Sequence, residues 1–115
     1  MLTMGGDIQV GVEQPIGTFF DGTNTYIRYR KVIDCGALPN NTTKNIDLDL
    51  NCIGVIDFKG CSINTSGNII CLPWNTSASN MCYIQYIKTE QKLKITSNNS
   101  FSSYTTTLVT IEYYR

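Results

Sequence analysis

The side chains that could do chemistry in this chain are few, and their spacing narrows what they could do. Histidine is absent. That removes the commonest general base at neutral pH, and with it any Ser-His or Cys-His nucleophile. Glycoside hydrolysis needs two carboxylates facing one another across a sugar. The nearest pair, Asp47 and Asp49, alternates with Ile46, Leu48 and Leu50, which is the pattern of a strand with one wet and one buried face. The same two carboxylates lack the acidic loop that supplies calcium with further oxygens. Five cysteines stand at Cys35, Cys52, Cys61, Cys71 and Cys82. None has Cys-x-x-Cys spacing, and without histidine no mixed zinc site can form. They are expected to be small buried hydrophobes, reduced as in a cytosol. No catalytic residue, metal or cofactor is expected.

Binding has better candidates. Trp74, the only tryptophan, follows Leu72-Pro73 and opens a polar run from Asn75 to Asn80. A flat ring beside amides and hydroxyls suits sugars, whose C–H groups stack on it while their hydroxyls find partners. The same tryptophan could equally lie under its own loop as a lid on the core. Tyr104, after Ser102-Ser103, gives a second polar aromatic cluster. The surface expected to meet a ligand therefore carries Trp74, Asn75, Asn80 and Tyr104, on loops that can vary without unfolding the strands. Arg28 and Arg30 are the reserve, since a same-face guanidinium pair can clamp acidic sugars or a teichoic-type phosphate. Asn-x-Ser/Thr acceptors at Asn40, Asn41, Asn64, Asn75 and Asn98 match cheaply in a chain so rich in these residues, and glycosylation is not expected.

The elements that must position these groups are strands. Helical periodicity is missing, while alternation and short apolar runs recur between Asn/Gly/Ser/Thr clusters. Strands are predicted at residues 7–12, 16–20, 26–35, 44–50, 53–58, 68–72, 81–87, 92–96 and 105–113. Asp21-Gly22 marks a tight two-residue hairpin turn between the second and third. Many short strands with such punctuation predict an all-β, antiparallel sandwich. At 115 residues, 42% apolar and 16% charged, the chain fits one globular domain. Residues 7–115 are assigned to that domain and residues 1–6 to its start or the end of a linker. Formal net charge is zero and the cations of Arg28 to Lys31 alternate faces, which argues against nucleic acid. No apolar run approaches a bilayer span, and residues 1–6 lack the features of a secretory signal.

One stretch carries a likeness. Ile16 to Asn45 joins the Asp21-Gly22 hairpin, the Tyr29-Arg30-Lys31 triplet and the turn Gly36-Ala37-Leu38-Pro39-Asn40, with Thr42, Lys44 and Asn45 behind it. That order resembles the C-terminal receptor-binding head domains of bacteriophage tail fibres and tail-tip proteins. The likeness continues more thinly through Ile56-Asp57 with Gly60, Leu72-Pro73 and the ending Val109-Thr110-Ile111-Glu112-Tyr113-Tyr114-Arg115. It implies a homotrimeric head domain that recognises a bacterial surface polysaccharide or protein for host attachment, without chemistry. It also implies a virion location, with assembly in a host cytoplasm. As a fibre head, the domain would be a terminal part of a longer chain or a stand-alone tip. Two other classes stay open: a structural tip that only trimerises the shaft, and a carbohydrate-binding module of a bacterial enzyme or adhesin.

Overall fold

The computed structural model describes residues 9–77 and 79–115. Two antiparallel sheets pack as a β-sandwich. The larger has the order β1 (Gln14–Phe20), β2 (Thr25–Gly36), β9 (Tyr104–Tyr114), β4 (Gly54–Asn64) and β5 (Ile69–Leu72). The smaller has the order β3 (Thr43–Asp47), β8 (Lys92–Ser97), β7 (Asn80–Ile87) and β6 (Trp74–Ser77). The fold class read from the sequence is therefore correct.

Alternation builds the core. Ile33 and Cys35 on β2, Val109, Ile111 and Tyr113 on β9, and Ile70 and Leu72 on β5 are buried against Leu93 and Ile95 of β8 and Cys82 of β7. Each aliphatic side chain so buried contributes roughly 1.5–3 kcal/mol relative to exposure. Two hydroxyls also lie inside. Ser62 and Thr107 face each other across β4 and β9, 2.8 Å apart, and the Ser62 hydroxyl also reaches Thr106 O. Their mutual bond removes the cost of desolvating them.

Several boundaries differ from the sequence reading. The strand expected over residues 7–12 lies partly outside the described residues, and Gln9 to Val12 form a turn with Gly11 at φ 78°. The Asp21-Gly22 hairpin exists, but Phe20 pairs with Thr25, leaving a four-residue loop in place of a two-residue turn. Asp21 Oδ1 accepts the N–H groups of Thr23 and Asn24, each at 2.8 Å, which closes the wider loop. Those two amides also hold the Asp21 carboxyl below its usual range. Residues 75–77, expected in a loop, form the edge strand β6.

The turn Gly36 to Asn41 is a hub joining the sheets. Gly36 and Asn41 take the positive φ values the bend needs, and Leu38 enters the core. The Lys44 ammonium donates to Cys35 O and Ala37 O. Pro39 O accepts the Ser97 hydroxyl, and Asn40 Oδ1 accepts the Phe101 N–H at 2.9 Å. The stretch most distinctive in the sequence thus bonds to itself and to the β8–β9 connection. This gives each of its polar residues a structural task.

Candidate ligand-recognition surface

Four connections gather at one pole of the sandwich: β2–β3, β4–β5, β6–β7 and β8–β9. Trp74, Asn75, Asn80 and Tyr104 all belong to elements that end or begin there. The pole is braced by its own polar groups. Asn64 Oδ1 accepts from Ser66 and Asn68, and Asn98 Oδ1 accepts the Met81 N–H at 2.7 Å. Four of the five Asn-x-Ser/Thr tripeptides fall in the connections of this pole, because asparagine and hydroxyl side chains build such turns, and the fifth, Asn75-Thr76-Ser77, lies on β6.

The loop residues themselves offer little surface. Trp74 pairs directly with Cys82, which is fully buried, so its side chain shares the inward face and packs against the core. The Tyr104 ring lies 6.0 Å from Phe101 and also packs on the core. The Asn80 amide donates to Thr76 Oγ1 at 2.8 Å. Asn75 is exposed. Only Asn75 of the four presents its side chain outward without a bond to its own hairpin.

Arg28 and Arg30 lie elsewhere, on the solvent face of the larger sheet. Arg30 sits directly across from Glu112, and Arg28 across from Tyr114. The Arg30 Nη2 is 3.1 Å from Glu112 Oε2, and the Arg28 Nε is 3.9 Å from Oε1. Glu112 is only 12% exposed at its side chain, against 38% for Arg28 and 35% for Arg30. One carboxylate is therefore shared between two guanidinium groups that both reach solvent. The Arg28 Nε is itself buried and has no hydrogen-bond partner.

Beside the arginines lies an aromatic group that sequence reasoning did not assemble. The Tyr114 ring is 4.5 Å from Phe19 and 5.0 Å from Tyr26. It lies so close over Gly54 that a Cβ there would come within 2.8 Å of it. Glycine is thus required for the ring to rest on the sheet. A usable signal existed: Tyr26, Arg28 and Arg30 share one parity, and Glu112 and Tyr114 share one on the neighbouring strand. On the far side of the arginine band, the same face turns apolar around a depression of about 340 Å³ lined by Val32, Cys61, Cys71 and Leu108.

The cysteines separate into two kinds. Cys35 and Cys82 are buried as expected, and desolvation pushes their thiols up to about 12 and about 11. Cys52 and Cys61 are half-buried and Cys71 is exposed, contrary to the expectation of uniform burial. Alternation explains Cys61 and Cys71, which fall on the solvent face of β4 and β5.

Comparison with known protein families, with curated proteins and with solved structures finds no match.

Proposed function

We propose that this domain is a non-catalytic recognition head that attaches to an anionic glycan or phosphate-bearing polymer of a bacterial surface. The observation that carries the reading is the pair Arg28 and Arg30 on one solvent face, sharing Glu112 and flanked by Tyr114, Tyr26 and Phe19. Guanidinium groups give fork-like donors to carboxylate or phosphate, and adjoining rings accept sugar C–H faces. The sheet beneath holds both at fixed spacing, so little ordering cost falls on binding. The resemblance of residues 16–45 to phage tail-fibre heads supports host attachment as the setting.

An Arg28→Gln/Arg30→Gln variant is expected to lose at least tenfold in affinity for a purified teichoic-type wall polymer, with an unchanged circular dichroism spectrum. Binding of the original chain should weaken as salt rises. Equal affinity of variant and original, both folded, moves the site to the Asn75 pole.

The homotrimer belongs to the same proposal. Phe20 on β1, Ile27 on β2, Val55 at the start of β4 and Ile53 just before it are exposed, away from the loop pole. An apolar surface of this kind suits contact with further copies around a fibre axis. Equilibrium sedimentation at micromolar concentration is expected to give three times the chain mass. A folded monomer there would remove the trimer and favour a free-standing binding module.

A further inference from the structure

Cys61 and Cys71 are register partners. They stand directly opposite on β4 and β5 and share the solvent face of the larger sheet. Cys71 is exposed and Cys61 half-buried, and both line the apolar depression beside Leu108 and Val32. Residues facing each other in an antiparallel pair have Cα atoms about 4.5–5.5 Å apart. A disulfide accepts Cα separations of roughly 4.4–6.8 Å, so the backbone already has the reach. Facing Cβ atoms, at about 4.5–5.5 Å, must close slightly. β5 is four residues long and, among the described residues, lies at the sheet edge and pairs only with β4, so the movement falls on the element least restrained against it.

We infer that Cys61 and Cys71 are a modification site: a dithiol that takes up a small-molecule disulfide and closes into a cross-strand bond. The exposed Cys71 thiolate attacks one sulfur of oxidised glutathione, displacing one glutathione thiolate and leaving a mixed disulfide. The Cys61 thiolate then attacks Cys71 Sγ, expels the second glutathione thiolate and forms the intramolecular S–S bond. Two protein thiols are oxidised, one disulfide reagent is reduced to two thiols, and the two protons pass to solvent and glutathione. Cys35 and Cys82 take no part, being buried away from the reagent. The bond would fasten the edge strand that leads through Leu72 and Pro73 into β6. It would do so only after the protein leaves a reducing compartment.

The test uses the reduced chain treated with oxidised glutathione, then denatured for thiol titration and peptide mass mapping. Free thiols are expected to fall from five to three, with a mass loss of two hydrogens and one cross-linked peptide pair holding Cys61 and Cys71. Cys61→Ser is expected to stop at a stable glutathione adduct on Cys71, and Cys71→Ser to keep its four thiols. Three results would each overturn the assignment: a lasting adduct on Cys71 in the original chain, a Cys71–Cys71 link between two chains, or five thiols after treatment.

Discussion

Replacing Trp74 by alanine is expected to lower the stability of the fold by about 2–3 kcal/mol, below the range for fully buried tryptophan because this one is half-buried. The ring lies on the inward face opposite Cys82, at the smaller sheet's edge, where it covers core residues. Its loss removes that cover and leaves a gap that an edge strand of four residues cannot fill. The urea midpoint should fall with an unchanged slope, the signature of lost stability in the same folded structure. Asn75→Ala, on the exposed side of the same strand, should change the midpoint by less than about 0.5 kcal/mol equivalent. Unchanged stability in Trp74→Ala, with weakened glycan binding, would return the tryptophan to the recognition surface and displace the arginine pair.

That contrast shows how far the sequence could be read. Parity was enough to place Leu48 and Leu50 inside and Asp47 and Asp49 outside. It was enough for the sandwich, because alternation needs no knowledge of which strand pairs with which. Strand ends depend on partners and were less legible. The alternation of Ile46 to Leu50 continues past Asp47, yet the ladder stops there because its partner β8 begins at Lys92. Leu48 then bonds to Gln91 in the β7–β8 turn and still enters the core. The polar run after Trp74 looked like a loop because edge strands are exposed and take loop-like residues. The proposed recognition surface was half visible. Arg28 and Arg30 could be placed on one face from spacing, whereas their union with Glu112 and Tyr114 required knowing that β2 lies beside β9.

A second large effect is expected where local sequence carries no signal at all. Glu13 precedes the first strand, and its carboxylate binds two residues at the other end of the chain. The Arg115 Nη1 and Nη2 donate to its two oxygens at 2.6 and 2.8 Å, and the Tyr113 hydroxyl donates to Oε1 at 2.7 Å. The same Arg115 guanidinium reaches Leu50 O and lies 4.4 Å over the Tyr29 ring, which stacks on Tyr113. Tyr113 is 1% exposed, so removing its acceptor leaves a buried hydroxyl with nothing to bond. Glu13→Ala should therefore cost about 1–3 kcal/mol at neutral pH. Glu13→Gln keeps an acceptor for the tyrosine and should cost less, losing mainly the charge.

The acid response separates these contributions. The hydrogen bonds from Arg115, aided by Tyr113 and opposed by burial, hold the Glu13 carboxyl below the ordinary value of 4.5. A carboxylate with a depressed folded value stabilises the fold above its unfolded value. That contribution disappears as pH falls through the folded one, because the unfolded chain takes up the proton first. The stability difference between the original chain and Glu13→Gln should thus be full at neutral pH and shrink as pH falls below 4.5. The part owed to the Tyr113 hydroxyl does not depend on the carboxylate charge alone, so the deficit of Glu13→Ala relative to Glu13→Gln should persist at low pH. Urea midpoints for the three chains across that range measure both parts. A gap between the original chain and Glu13→Gln that stays constant with pH would mean that the carboxylate contributes only as a neutral acceptor, and that its pairing with Arg115 adds nothing to the fold.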